Sequence, residues 1–142
     1  MKISTNYTNY TNWIEKILTL SHKVIGCAMK VHTGLGCGFL ESVYQSAMIR
    51  EFQLSGIQAR SQVPISVDYK GQLVGRYFAD FIVANKLLLE LKAQDRLVHQ
   101  HFAQVLNYLN VSDLKIGLLF NFGAESLQTK RVIRGFGPET RI

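Results

Sequence analysis

Two apolar segments of strand length, which carry two acids and a lysine, constrain this chain more than any other stretch. Residues 77–83 and Leu87–Lys92 each have the pattern of a short β-strand, and a connection of about three residues joins them. In such a hairpin Asp80 lies roughly opposite Glu90, and directly opposed residues have Cβ atoms about 5 Å apart. Strand alternation places Lys92 on the same face as Glu90. The segment therefore predicts two carboxylates and one ammonium group close together.

These three charges have two interpretations. In the first, Glu90 and Lys92 form a cross-face salt bridge, and Asp80 is a lone charge on a solvated sheet face. In the second, Asp80 and Glu90 bind Mg²⁺, with the backbone carbonyl of Leu91 as a third protein ligand. Lys92 then orients or deprotonates an attacking water, or stabilises the transition state. We favour the metal site, because residues 87–89 are all leucine and such runs suit a central strand covered on both faces.

Composition sets broad bounds on the function. The 142 residues fit one domain, and 47% hydrophobic with 18% charged residues is ordinary for a globular protein. The net charge of +6 permits attraction to a polyanion, although no run of Lys or Arg exceeds two residues. No apolar run reaches the ~18 residues that span a bilayer, so we expect no membrane segment. Cys27 and Cys37 form no disulfide framework or metal-ligand set, which favours two reduced thiols and a cytoplasmic location.

Hydrophobic periodicity predicts an α-α-β-β-β-α-β-β order in one domain over residues 12–134, between a flexible leader at 1–11 and a tail at 135–142. The predicted helices are 12–32, 39–55 and 96–111, and the predicted strands are 63–69, 73–83, Leu87–Lys92, 115–122 and Gln128–Ile133. The apolar stripes predict core contacts from Ile14, Ile17, Leu18, Ile25, Ala28 and Met29 in the first helix, and from Leu40, Val43, Tyr44, Ala47, Met48 and Leu54 in the second.

The helices that flank the hairpin carry further candidates. Glu41 lies in the first turn of the second helix, where the helix dipole alone is a sufficient reason for a negative charge. The alternative is that Glu41 faces the acidic hairpin. On the third helix, His101, Gln104 and Tyr108 follow each other at helical spacing and line one flank of the apolar stripe.

Asp80, nine intervening residues and then Glu90-Leu91-Lys92, within this order of elements, resemble the PD-(D/E)XK nuclease superfamily. More narrowly, the stretch GFLESVY at residues 38–44 matches the GxxExxY motif of a bacterial and archaeal family assigned to that superfamily. Similar stretches are Val31-His32, Gln62-Val63-Pro64 and Asn121-Phe122-Gly123-Ala124, and the resemblance covers about residues 14–134. The chain departs from the family where Cys37 replaces a usual Pro and where no Pro precedes Asp80, and neither change removes a ligand.

The resemblance implies an α+β fold with a restriction-endonuclease-like αβββαβ core, in which helices flank a central mixed sheet, and an extra N-terminal helix. It implies the following roles: Asp80 and Glu90 as metal-binding acids, Lys92 as the catalytic lysine, Glu41 as a further ligand directly or through water, and Gln104 and Tyr108 as polar residues of the site. The implied activity is a Mg²⁺- or Mn²⁺-dependent nuclease on DNA or RNA, with contacts mainly to backbone phosphates. Two alternatives stay open: a non-catalytic module that binds nucleic acid or protein, and a structural partner. A homodimer is compatible with either.

Overall fold

The computed structural model describes residues 2–135, and it describes the side chains from residue 9 onward. The described elements follow the predicted order: α1 (Lys2–Leu35), α2 (Glu41–Ser55), β1 (Ala59–Tyr69), β2 (Gln72–Val83), β3 (Leu87–Lys92), α3 (His99–Ser112), β4 (Ile116–Asn121) and β5 (Gln128–Ile133). No described helix is long and apolar enough to cross a membrane.

The strands form one mixed sheet in the order β1-β2-β3-β4-β5. β3 pairs with β4 in parallel, and the other neighbouring strands pair antiparallel. A parallel pair needs a crossover connection, and α3 supplies it between β3 and β4. The central strands β3 and β4 are buried along almost their whole length, as their apolar sequences predict. The predicted α+β architecture is therefore confirmed.

The two faces of the sheet are covered by different helices. α1 and α2 pack on one face, where Ile17, Ala28, Tyr44 and Met48 meet the odd-numbered residues of β3 and the even-numbered residues of β4. α3 covers the opposite face. Its approach is close, because a Cβ at Gly117 of β4 would lie 2.7 Å from Val105 Cγ1 of α3. Glycine therefore allows the crossover helix to pack directly on the parallel pair.

The ends of some elements differ from the prediction. α1 begins at Lys2, well before the predicted start at residue 12, and no Gly or Pro lies in that stretch to stop a helix. α2 and α3 begin later than predicted, at Glu41 and His99. Of the predicted tail, residues 136–142 lie outside the described residues.

Several residues that we placed in the core are exposed. Leu40 is 77% exposed because it is the residue that precedes α2, so it lies off the buried face of that helix. Leu54 and Met29 are also exposed, and Val43 and Leu18 are exposed to a lesser degree. The buried face of α2 instead consists of Tyr44, Met48 and Phe52, which follow each other at intervals of four residues. Phe52 continues this face and the nearby Leu54 does not.

Candidate metal centre

Asp80 and Glu90 face each other at the point where the β2–β3 ladder ends. The ladder pairs Val83 with Leu87 and Phe81 with Leu89, so its continuation places Asp80 opposite Glu90, as the hairpin register predicted. At this point side chains replace the ladder. The Asp80 main-chain N–H donates to Glu90 Oε1 at 3.1 Å, and the Leu91 N–H donates to Asp80 Oδ2 at 2.7 Å. Each carboxylate is thus fixed by the backbone of the opposite strand.

The neighbouring strand β1 also changes at this level. Its ladder with β2 pairs Ser61 with Phe81 and Val63 with Ala79, which leaves Gln62 opposite Asp80. Gln62 has a φ of 50°, in the left-handed region, and its Nε2 donates to Asp80 Oδ1 at 3.2 Å.

The pleat of β2 switches faces at Asp80. Residues two apart in a regular strand share a face. However, Ala79 belongs to the core under α3, whereas Phe81 belongs to the core under α1 and α2. The irregular backbone at Gln62 and Asp80 therefore places the Asp80 carboxylate between the two cores, where it is within reach of both β1 and β3.

Burial makes both acids hard to ionise. Glu90 is only 4% exposed, and loss of water together with the negative charge of Asp80 raises its pKa to about 8. The pKa of Asp80 is also raised, chiefly by burial. Hydrogen bonds from Leu91 and Gln62 and the positive charge of Lys92 oppose that rise without cancelling it. A buried and a half-buried acid therefore lie beside one lysine, and the ionised form of each is disfavoured.

Glu41 approaches this pair from the first turn of α2. Its residue surface is exposed, but loss of water around the carboxylate is the main cause of its raised pKa, and repulsion from Asp80 adds to it. The charge of Lys92 and a hydrogen bond from the Ala93 N–H act in the opposite direction. Glu41 therefore lies near Asp80 and Lys92 and faces the acidic hairpin.

Helix α3 brings a phenol to the other side of the site. Tyr108 is buried, and its pKa is raised by burial and then by the negative charge of Glu90. Gln104 Nε2 donates to the Tyr108 hydroxyl at 3.1 Å, so both residues of the predicted polar flank are linked. His101 lies on the same flank, and its pKa is lowered by burial and by the nearby charge of Lys92.

Asn121 at the end of β4 fixes the loop that follows Lys92. Its fully buried side chain accepts from the Gln94 N–H at 2.9 Å and donates to the Gln94 carbonyl at 2.9 Å. The Phe122 N–H donates to the Lys92 carbonyl at 2.8 Å. Gly123 completes the contact, because a Cβ there would lie 2.3 Å from the Gln94 carbonyl oxygen. We call these contacts of Asn121, Phe122 and Gly123 the clamp. The clamp fixes the backbone that follows Lys92.

Sequence reasoning missed three residues that position the site: Gln45, Gln62 and Asn121. Gln45 Nε2 donates to the Asp80 carbonyl at 3.1 Å. Gln62 and Asn121 stand in two of the stretches that resembled the nuclease family, and that resemblance was the only available signal for them. Their roles depend on contacts between distant strands, which a local pattern does not contain.

The donor set fits a hard divalent ion. Asp80 and Glu90 offer oxygen atoms in a buried place that lacks positive charge, and Mg²⁺ prefers oxygen ligands while it keeps several waters. Among the described residues, no group of three or more His, Cys, Asp and Glu side chains is arranged to hold a metal ion. The side-chain ligands would thus be the two carboxylates of Asp80 and Glu90. Glu41 would contact the ion through a water molecule.

Comparisons with known proteins identify a family and a fold. A protein-family model described as the PD-(D/E)XK nuclease superfamily matches residues 18–133. No curated protein matches the chain. A solved structure described as "Crystal structure of SSO0001" superposes with a TM-score of 0.56 at 15% identity, over 69% of this chain and 52% of that chain. At this identity the likeness concerns the fold alone, and this chain spans about half the length of that protein.

Proposed function

The chain belongs to the PD-(D/E)XK nuclease superfamily, and from this premise we propose that it is a metal-dependent nuclease that hydrolyses phosphodiester bonds in DNA or RNA. Its α+β fold is restriction-endonuclease-like, with an added N-terminal helix. One observation carries the proposal: Asp80 and Glu90, whose pKa values are both raised by burial, face each other beside Lys92. An arrangement that costs folding energy in this way is typical of a functional site.

Asp80, Glu90 and the carbonyl of Leu91 are the proposed ligands of Mg²⁺ or Mn²⁺. The bound ion would cancel charge on the scissile phosphate and favour ionisation of the attacking water. The protein contributes rigidity. Because main-chain N–H groups already orient both carboxylates, little side-chain entropy remains to be lost when the ion binds.

Lys92 and Glu41 act around this pair. The Lys92 ammonium lies close enough to oppose the raised pKa of all three acids, so it also lies close enough to orient the attacking water or to stabilise the charged transition state. Glu41 would contact a bound metal ion through a water, since it lies near Asp80, Lys92 and the Ala93 N–H.

Tyr108 and Gln104 supply a neutral hydrogen-bond donor. Because its pKa is raised, Tyr108 stays a phenol at neutral pH. Its oxygen accepts from Gln104 Nε2, so its own proton is available for Glu90 or for a substrate oxygen.

We further propose that the chain is a member of the narrower GxxExxY family. The motif has a physical basis here, because Tyr44 donates to the Gly36 carbonyl at 2.6 Å and its ring stacks on Phe122 at 4.7 Å. The Phe39 N–H donates back to the Tyr44 hydroxyl at 3.3 Å. The motif tyrosine thus fixes the loop that leads into α2, while the motif acid Glu41 points to the acidic hairpin.

A module of the same fold that binds nucleic acid without cutting it is the second candidate. The observation that favours it is that Asp80 and Glu90 are already engaged by main-chain N–H groups, which compete with a metal ion for their oxygens. For either function we propose a cytoplasmic location, since both Cys27 and Cys37 are free thiols.

A cleavage assay tests the proposal. Labelled single- and double-stranded DNA and RNA are incubated with the protein and Mg²⁺ or Mn²⁺, beside Lys92→Ala and Lys86→Ala variants from the same purification. Lys86 lies in the turn just before Leu87, the first residue of β3, and is the matched control. We expect cleavage by the wild type and by Lys86→Ala, and a loss of roughly 100-fold or more in Lys92→Ala. Binding without cleavage would favour the second candidate, and equal cleavage by Lys92→Ala would reject the assigned site.

A further inference from the structure

A groove lies between the β1–β2 hairpin and α3. Its volume is about 580 Å³. Val67 and Val74 line it from the hairpin, and two rings, those of Tyr77 and Tyr108, lie at 5.7 Å between centroids. Four amide side chains line it along α3: Gln100, Gln104, Asn107 and Asn110. We call this cleft the tyrosine groove.

Tyr108 links the tyrosine groove to the carboxylate pair, because it lines the groove and feels the negative charge of Glu90. Gln104 and Tyr108 line the groove and are also hydrogen-bonded to each other beside Glu90. A strand with its phosphate at Asp80 and Glu90 would therefore bring an adjacent nucleotide to the mouth of the groove. The groove is thus placed to contact the substrate next to the bond that is cut.

The lining chemistry distinguishes a base from a phosphate. Among the residues that the structure describes, no charged side chain lines the tyrosine groove, whereas phosphate contacts depend on Lys and Arg. Aromatic faces stack on bases, and side-chain amides pair with base edges. Tyr77 is 50% exposed, so part of its ring remains available for stacking. Only an unpaired base can present both its face and its edge to such a surface.

We propose that the tyrosine groove binds one unpaired nucleobase of the substrate strand, next to the scissile phosphate, with the base stacked on Tyr77 and its edge on the amides of α3. This inference rests on the proposed nuclease function and narrows its substrate to a strand with an unpaired nucleotide at the cut. It adds one base contact to the expected contacts with backbone phosphates.

Binding measurements with and without bases test the inference. Fluorescence anisotropy is recorded in Ca²⁺ with three labelled DNA probes of equal length: a single strand, a strand whose nucleotides all lack bases, and a duplex. The proteins are the wild type, Tyr77→Ala, Tyr77→Phe and Tyr69→Ala. Tyr69 is the matched control, because it is an exposed tyrosine of the same hairpin that does not line the groove. Melting temperatures verify that each variant is folded.

We expect Tyr77→Ala to weaken binding of the ordinary single strand about tenfold and to leave binding of the base-free strand unchanged. Tyr77→Phe keeps the ring and should bind like the wild type, as should Tyr69→Ala. The duplex should bind more weakly than the single strand and should not respond to Tyr77. The inference is overturned by equal losses on strands with and without bases, by no loss, or by no binding of the ordinary strand.

The two proposals fail separately in this design. Base-dependent binding without Mg²⁺-dependent cleavage would leave the tyrosine groove in place and reject the nuclease. If Tyr77→Ala cleaves as fast as the wild type, the nuclease function is retained and base binding in the tyrosine groove is rejected.

Discussion

Asp80 donates its main-chain N–H to Glu90 Oε1 at 3.1 Å, and it accepts at Oδ2 a hydrogen bond of 2.7 Å from the Leu91 N–H. This reciprocal pairing replaces the β-ladder at the end of the hairpin. It holds two carboxylates side by side although both pKa values are raised by burial. The fold therefore holds two carboxyl groups whose ionisation is disfavoured, and a divalent cation would favour it.

Metal-free protein should lose stability as the pH rises towards about 8. The pKa of Glu90 is about 8 when folded, above its ordinary value of 4.5, so between these values the folded state holds a proton that the unfolded state has lost. Raising the pH through this window therefore lowers the free energy of unfolding, with a slope that approaches about 1.4 kcal/mol per pH unit for one group. The raised pKa values of Asp80 and Glu41 act in the same direction.

Urea denaturation in EDTA, at several pH values from about 5 to about 8, measures this slope. The Glu90→Gln variant keeps the shape of the side chain without its titration, so its slope should be clearly flatter. Saturating Mg²⁺ should also flatten the slope in the wild type, because the ion competes with the proton. Identical slopes in Glu90→Gln and wild type would refute this explanation.

Gln62 should tune the metal affinity through Asp80. Glycine adopts a φ of 50° without strain, so Gln62→Gly removes chiefly the hydrogen bond from Nε2 to Asp80 Oδ1. Loss of that bond should raise the pKa of Asp80 further and weaken binding of Mn²⁺ roughly tenfold at neutral pH. Calorimetric titration measures the change. Gln72→Ala, at an exposed glutamine of β2, is the control, and an equal loss in this variant would count against a specific role of Gln62.

Gly123→Ala should disturb the loop after Lys92. The added Cβ would lie 2.3 Å from the carbonyl oxygen and 2.4 Å from the amide nitrogen of Gln94, both main-chain atoms that must move. We expect a loss of about 1–3 kcal/mol in the free energy of unfolding together with reduced cleavage. In Gly26→Ala nothing lies within 4 Å of the new Cβ, so this helical substitution should be neutral or stabilise by up to about 1 kcal/mol. Equal stability and activity of the two variants would contradict the clamp.

The sequence predicted the elements best where one short pattern determines them. β3 and β5 have the predicted bounds, and the loop between Val83 and Leu87 has the predicted length, because strand alternation and a tight turn are local features. Helix faces were harder to predict. Leu40 precedes α2 and Leu54 lies in its last turn, and both are exposed although they fit the spacing of the apolar stripe.

The sequence predicted the charged residues of the candidate site but not the residues that hold them in position. Asp80, Glu90 and Lys92 could be found from one hairpin, because their spacing along the sequence fixes their proximity. Gln62 adopts a left-handed backbone conformation, and the sequence does not reveal this because the residue is not a glycine. The contacts of Asn121 with Gln94 join residues that are far apart in the sequence. The tyrosine groove likewise arises only when the hairpin lies against α3.

Calorimetric titration of the protein with Mn²⁺ at a pH of about 8, where Glu90 is substantially ionised, tests the central claim most directly. Asp80→Asn, Glu90→Gln and Asp68→Asn are titrated beside the wild type, with Asp68 as an exposed aspartate of β1 that lies outside the site. We predict one binding event per chain in the wild type and in Asp68→Asn, and none in Asp80→Asn or Glu90→Gln. Equal binding by all four proteins, or no binding by the folded wild type, would contradict a metal centre at Asp80 and Glu90.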